Sequence, residues 1–190
     1  HAAVASRLGD DTARAMGRAS LNPLVHIDLF GFLFLVLVGF GWAKPVMIDR
    51  SKLGHPRRDD ALIAAAGPLS NLGVSVVGAA VLTVLMALVP YQGEVLYGWV
   101  IRLIIAGIHV NLGLFVFNAI PLPPLDGSHV LLSVLNIRDT PHAGLFMKYG
   151  TLVLFGIILA EQVLRIDILP IGKVVHAMAE VLLRVFGFPR

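Results

Sequence analysis

The chain has 190 residues, of which 57% are hydrophobic and only 14% charged, whereas soluble domains carry about 25% charged residues. This composition excludes an ordinary soluble globular protein and favours a multi-pass membrane protein, whose spanning segments are helical because each must satisfy its own backbone hydrogen bonds. The net charge of +3 lies between apolar runs, which indicates membrane topology rather than nucleic-acid binding, and the lack of cysteine excludes disulfides and thiolate chemistry.

The first three apolar runs differ in length. Residues 29–43 form a run of 15 uncharged residues, which is shorter than the roughly 17 to 25 residues of a spanning helix. This run predicts a short or re-entrant membrane segment. Residues 61–90 give 30 uncharged residues, enough for one tilted spanning helix. Residues 103–125 predict a second span that ends in a proline cluster.

The C-terminal part adds two helices. Residues 142–164 predict a third span, whose polar ends must reach the membrane surface. Residues 171–186 place polar side chains three or four positions apart on one face, which predicts an amphipathic helix lying at the membrane interface. These are Lys173, His176, Glu180 and Arg184. The predicted fold is all-α: a multi-pass transmembrane helical bundle that forms a single domain over residues 1–190.

Loop charge predicts the orientation of the bundle. Residues 44–60 contain five Lys and Arg residues, whereas residues 91–100 contain none. By the positive-inside rule, the first of these loops is cytoplasmic. The next helix then runs outward and its successor returns, so we expect Asp126 at the cytoplasmic side of the cell membrane.

Two polar residues stand out against their apolar surroundings. Asp126 follows the apolar run 118–125, and an ionisable group at membrane depth is costly unless it is paired, hydrated or bound to a metal. It is either a site residue or a helix N-cap after a proline turn. Asn71 lies inside the long second run. It either serves a site or donates an amide hydrogen bond across a helix interface.

The histidines give weaker signals. His109 and Asn111 lie in the middle of a predicted span, where such residues are typically satisfied groups of the bundle interior. His129 follows Asp126 by three residues, so on a helix the two share a face, as metal ligands can. His26 is interpreted as part of a polar turn at the interface.

Four motifs follow one another over residues 1 to about 133. They are LGDDTARAMGRASLNPLVHIDLFG, GWAKPV, AGPLSN and NAIPLPPLDGSHVL. In this order they resemble the site-2 protease family of intramembrane zinc metalloproteases, in its compact form without a PDZ domain. The remainder of the chain is similar to that family only in being apolar.

The resemblance implies a zinc site. In this family, two histidines of an HExxH motif and a distant carboxylate bind the metal and leave a position for water. By resemblance, His1 is the second histidine of that motif and Asp126 is the third ligand. The resemblance also implies that Asn71 places the substrate or polarises its peptide carbonyl. Three neighbours would shape the turn that presents Asp126: Asn118, Pro121 and Gly127.

The chain also departs from the family pattern. Its three glutamates, Glu94, Glu161 and Glu180, all lie outside an HExxH context. The catalytic base and the first histidine are therefore absent from these residues, and we expect the missing part of the motif to precede His1 in the natural protein. Leu29 replaces a proline that often follows HID in such sequences.

The expected function is zinc-dependent hydrolysis of a peptide bond within or near a transmembrane segment of a membrane protein, in the lipid bilayer and towards the cytoplasmic side. One alternative is a catalytically inactive membrane scaffold or binder of the same fold. Another is an ion-coupled transporter that uses Asp126 and His109 as a proton relay, although the chain lacks the inverted repeats of many transporters. The residues HExx directly before His1 would favour the enzyme over the scaffold.

Overall fold

A computed structural model describes residues 1–20, 22–38, 41, 43–89 and 95–188 of the chain. These residues contain helices and no strand, which confirms the predicted all-α fold. The helices are α1 (Ala2–Arg7), α2 (Thr12–Ala15), α3 (Leu29–Val38), α4 (Pro56–Leu88), α5 (Val95–Ala119), α6 (Asp126–Val134), α7 (Pro141–Leu164) and α8 (Ile171–Val185). The chain divides into two compact units, His1–Ile63 and Ala64–Arg190. The single domain over residues 1–190 stays a prediction.

The first unit combines an apolar core with a buried carboxylate. The core consists of Ala5, Leu53 and Ile63. Asp10 is fully buried, and its side chain accepts the backbone N–H groups of Thr12 at 2.9 Å and Asp49 at 2.7 Å. A buried charge is costly unless it is hydrogen-bonded. These bonds therefore join the LGDD turn to the segment that precedes α4.

The two ends of the apolar segment 29–43 lie beside each other. Ile27 and Ala43 form an antiparallel bridge, and the Lys44 N–H donates to the His26 carbonyl at 2.9 Å. The helix inside this segment, α3, has 10 residues, so it is about 15 Å long. That is half of the roughly 30 Å apolar core of a bilayer. The described residues thus agree with a short segment of re-entrant form, and residues 39, 40 and 42 of the predicted segment lie outside them.

Among the described residues, three helices are long and apolar enough to cross a membrane: α4, α5 and α7. Their positions confirm the predicted spans, although α4 and α5 start several residues earlier than the predicted runs and α7 starts one residue earlier. α4 begins at Pro56, a residue suited to the first turn of a helix, and the Asp59 carboxylate accepts the His55 N–H at 2.8 Å. α5 ends at Ala119, just before the proline cluster.

α4 and α5 pack against each other through small residues. The Ser75 hydroxyl is fully buried and donates to the Ile108 carbonyl at 3.2 Å, as well as to the Asn71 carbonyl at 3.1 Å. A Cβ at Gly78 would lie 3.0 Å from the Ile108 side chain. Small residues of this kind let membrane helices approach closely.

α8 is amphipathic as predicted, and part of its apolar side packs against other helices. One buried cluster consists of Ala79, Ile108, Leu112, Val175 and Ala179, from α4, α5 and α8. Near the end of α8, the Thr83 hydroxyl donates to the Phe186 carbonyl at 3.1 Å. On the polar side, Glu180 pairs with His176 at 3.3 Å and with Arg184 at 3.1 Å. The burial of Val175 and Ala179 shows that α4 and α5 cover part of this apolar side, and the position of α8 at the membrane interface stays a prediction.

Candidate metal and substrate site

His1 precedes α1, and its imidazole is oriented by the first unit. Nδ1 lies 2.7 Å from the carbonyl oxygen of Ile63. A carbonyl only accepts, so Nδ1 carries the proton and Nε2 carries the lone pair of the neutral ring. Metal-binding histidines are commonly oriented by such a bond on the other nitrogen. The orientation of His1 fits a metal ligand, and the ligand role itself stays a prediction.

Asp126 is the first residue of α6 and is half-buried. Leu125 occupies the N-cap position, and its carbonyl accepts the Ser128 N–H at 3.0 Å and the Ser128 hydroxyl at 2.7 Å. Asp126 is therefore not the N-cap of this helix, and the capping interpretation is wrong. The carboxylate lies at the start of a helix that directly follows the turn after a membrane span.

The turn that presents Asp126 is closed by a glycine. A Cβ at Gly127 would clash with the carbonyl of Ala119 and would lie 2.5 Å from the carbonyl oxygen of Ile120. Only glycine fits this approach of α6 to the end of α5. This agrees with the predicted role of Gly127 in shaping the turn.

Asn71 is half-buried on α4, one turn before Ser75. Within the part of the chain that the structure describes, no group shares a hydrogen bond with its side-chain amide. Other asparagines on the spans behave differently: the amide of Asn111 donates to Gly107, at 2.9 Å on its own helix. The amide bond across a helix interface, the alternative role for Asn71, is not made among these residues.

The remaining candidates from the sequence are three histidines. His109 bonds the carbonyl of Ile105, one turn earlier on α5, at 2.9 Å, as expected for a satisfied interior group. His26 lies 2.8 Å from the carbonyl of Ser20, in agreement with a polar turn. His129 lies on α6, one turn after Asp126, so the two share a helix face as predicted.

The resemblance implies zinc, and this can be compared with the side chains of the predicted ligands. Imidazole and carboxylate are zinc ligands, so His1 and Asp126 carry donor groups of the type that the predicted zinc site requires. In the described ranges, no group of three or more His, Cys, Asp or Glu side chains could hold a metal ion. His1 belongs to the first unit and Asp126 to the second. An HExxH motif, which would supply a further histidine and the base, does not occur in the 190 residues.

Sequence reasoning did not single out Asp10, Ser75 or Gly150, which the structure places at close contacts. Asp10 lies in a motif that resembles the family, but its burial has no signature in the sequence. A serine and a glycine in apolar helices indicate close helix packing in general. Neither shows which neighbour it approaches.

The chain is similar to known zinc metalloproteases. Residues 86–161 match the family model described as Peptidase family M50. The chain is 41% identical over 134 residues to "Putative zinc metalloprotease YwhC" of Bacillus subtilis, covering 69% of this chain and 60% of that protein. It is 35% identical over 103 residues to "Putative zinc metalloprotease MJ0611" of Methanocaldococcus jannaschii, covering 54% and 49%. The chain thus spans half to three fifths of these relatives. No solved structure matches it.

Proposed function

The chain belongs to peptidase family M50, the site-2 protease family that its motifs resemble, and on that premise we propose that it acts as a zinc-dependent membrane endopeptidase. The bond it hydrolyses lies within or near a transmembrane segment of a membrane protein substrate. The reaction takes place towards the cytoplasmic side of the cell membrane. The three apolar helices α4, α5 and α7 provide the setting in the bilayer.

The position of Asp126 carries this proposal. An ionisable side chain beside a membrane span is costly unless it is paired, hydrated or bound to a cation. The chain nevertheless places it there with a turn so tight that Gly127 must be glycine. A capping role does not account for Asp126, because Leu125 takes that position. A carboxylate on a rigid support is what a metal site requires of a ligand, so the residue type and the tight turn both support a metal-binding role.

His1 and Asp126 would hold the metal, and zinc when bound supplies a water of lowered pKa. His1 would contribute a neutral imidazole nitrogen whose orientation the Ile63 carbonyl fixes through Nδ1. Asp126 would contribute an anionic oxygen. The two ligands differ in charge, so loss of Asp126 would weaken binding of the cation more than exchange of one neutral ligand for another.

Asn71 would act on the substrate. Its amide lies on a membrane helix and makes no hydrogen bond with the described residues. An amide N–H can donate to the peptide carbonyl oxygen as negative charge develops on it. An asparagine that only joined two helices would instead use its amide for that purpose. The unused amide therefore supports the substrate role that the resemblance implies.

The proposal is tested on the product of the complete reading frame that contains these residues, purified in detergent and reconstituted in vesicles. Zinc is measured by inductively coupled plasma mass spectrometry, and cleavage is followed on a reporter membrane protein. We expect about one zinc per chain, with a lower zinc content in Asp126→Asn, because the anionic ligand is lost. Asp139→Asn removes a carboxylate from an exposed loop position and serves as the matched control.

Three results would contradict the proposal in different ways. Unchanged zinc content in Asp126→Asn would remove Asp126 from the site. If His129→Ala loses zinc and Asp126→Asn keeps its zinc content, the ligand role passes to the neighbouring histidine. Full zinc content without cleavage of any membrane substrate would favour the scaffold of the same fold.

A further inference from the structure

Gly150 makes a close approach to the turn that presents Asp126, although no sequence motif includes it. It is buried on α7. A Cβ placed at Gly150 would lie 2.5 Å from Cδ and 2.9 Å from Cγ of Pro123, inside the van der Waals contact distance of about 3.5 Å between carbon atoms. The backbone of α7 therefore lies directly against the proline ring.

Pro123 cannot move away from Gly150 without moving the turn. Its side chain is among the fully buried ones, and it stands three residues before Asp126. The backbone on both sides of it is bonded: Leu122 donates to the Ile120 carbonyl at 2.9 Å, and Leu125 donates to the Leu122 carbonyl at 3.0 Å. A displacement of the ring would thus be passed along the chain to the carboxylate.

The turn is also closed on its other side. Gly127 lies against the carbonyl groups of Ala119, the last residue of α5, and of Ile120, which follows it, so the turn is held between the end of α5 and α7. The contact on the α7 side is specific to one position. Neither Gly144 nor Gly156, the other glycines of α7, has a neighbouring described atom within 4 Å of its added Cβ.

We propose that Gly150 is a positioning residue for Asp126: α7 bears on Pro123 at Gly150 and thereby fixes where the carboxylate stands. This inference rests on the proposed role of Asp126 as a zinc ligand. Zinc–oxygen bonds are about 2.0 to 2.2 Å long, and a site loosened by about 1 Å loses function. A methyl group at position 150 would force a displacement of that order.

Gly150→Ala tests the inference, with Gly144→Ala and Gly156→Ala as matched controls on the same helix. Zinc affinity of the purified full-length protein is measured by competition with a chelator, and thermal unfolding is followed on the same samples. We expect Gly150→Ala to weaken zinc binding about 10- to 100-fold, as loss of support to a metal ligand does. The controls should keep wild-type affinity, because alanine is a better helix former than glycine and meets no neighbour there.

A double variant separates the contact from a general loss of stability. Pro123→Ala removes the two ring atoms that the new methyl group would meet. If the contact acts as proposed, zinc affinity in Gly150→Ala with Pro123→Ala exceeds that of Gly150→Ala alone, a non-additive result typical of residues in contact. If zinc affinity in the double variant does not recover, the inference is overturned. This holds also where Gly150→Ala lowers zinc affinity and unfolding temperature together.

Zinc affinity of Asp126→Asn is measured in the same experiment. This variant separates the positioning role of Gly150 from the proposed ligand role of Asp126. Wild-type zinc affinity in Gly150→Ala, with weakened binding in Asp126→Asn, overturns the positioning role and leaves the proposed function intact. Wild-type affinity in Asp126→Asn overturns the proposed ligand and the inference that rests on it.

Discussion

Replacing Asp10 with alanine should loosen the first unit by about 2 to 4 kcal/mol. Asp10 is fully buried, and its carboxylate accepts two backbone N–H groups, those of Thr12 and Asp49. A buried donor left without an acceptor costs about 1 to 3 kcal/mol. Two such donors, partly rehydrated in the variant, give the stated range. Asp10→Asn retains one acceptor oxygen, so about half of this effect is expected.

The effect should be local and visible in hydrogen exchange. Exchange protection falls tenfold for each 1.4 kcal/mol of lost stability. We therefore expect the Thr12 and Asp49 amides of Asp10→Ala to exchange about 30- to 700-fold faster than in the wild type. Measurement by mass spectrometry on the detergent-solubilised protein reports both amides without requiring reversible unfolding of the whole membrane protein.

The same carboxylate should make the first unit sensitive to acid. Burial raises the pKa of Asp10, but the hydrogen bonds from Thr12 and from the Asp49 backbone, with the nearby Lys52 ammonium, outweigh burial and hold the pKa below its ordinary 3.8. A group whose pKa is lowered by folding stabilises the fold above its ordinary pKa, and this contribution is lost as the pH falls through the lowered value. Wild-type protection should thus drop below pH 3.8 by more than that of Asp10→Asn.

Asp11→Asn is the control, because it removes the same charge from the exposed neighbouring position. A surface substitution of this kind stays within about 0.5 kcal/mol, which is roughly a twofold change in exchange. Wild-type protection of the Thr12 and Asp49 amides in Asp10→Ala would refute the reasoning, since the two bonds would then contribute nothing to the stability of the unit.

Two further outcomes are expected from the proposed function. Asn71→Ala should lower the cleavage rate about 100- to 1,000-fold, as loss of one carbonyl-polarising donor does, with zinc content and unfolding temperature unchanged. The control is Asn111→Ala, which should cleave normally because the Asn111 amide bonds its own helix. Equal cleavage rates in the two variants would return Asn71 to a packing role. Since the chain has no native cysteine, Ser51→Cys should react with an impermeant maleimide only from the cytoplasmic side and Gln92→Cys only from the opposite side, and the reverse pattern would invert the topology.

Hydropathy located the membrane helices because a helix that crosses a bilayer must be apolar along most of its length. Their ends differ from the apolar runs because a helix continues past the bilayer where its backbone can be capped. α4 begins at Pro56 and takes Arg57 and Arg58 into its first turn, while Asp59 bonds the preceding His55 N–H. Residues 56–59 have no apolar signal at all. Their helical state follows from capping chemistry, which hydropathy does not register.

The candidate site was predictable to the extent that its chemistry lies in residue types. Asp126 and Asn71 stand out because carboxylate and amide groups are costly beside apolar runs. Gly150 and α8 could not be predicted in the same way, since their roles depend on what approaches them. The spacing of Val175 and Ala179 shows an apolar face, but only the tertiary structure shows that α5 covers it.

α5 connects these separate observations. Its middle packs on α4 through the Ser75 hydroxyl and on α8 through Leu112, and its last carbonyl groups confine Gly127. Within a bilayer, helices are held by close packing rather than by the hydrophobic effect, so small residues set their separation. An enlarged side chain at Ser75 would therefore shift α5 and, through the turn at its end, the Asp126 carboxylate. The position of the Asp126 carboxylate depends in this way on packing residues that lie outside the turn itself.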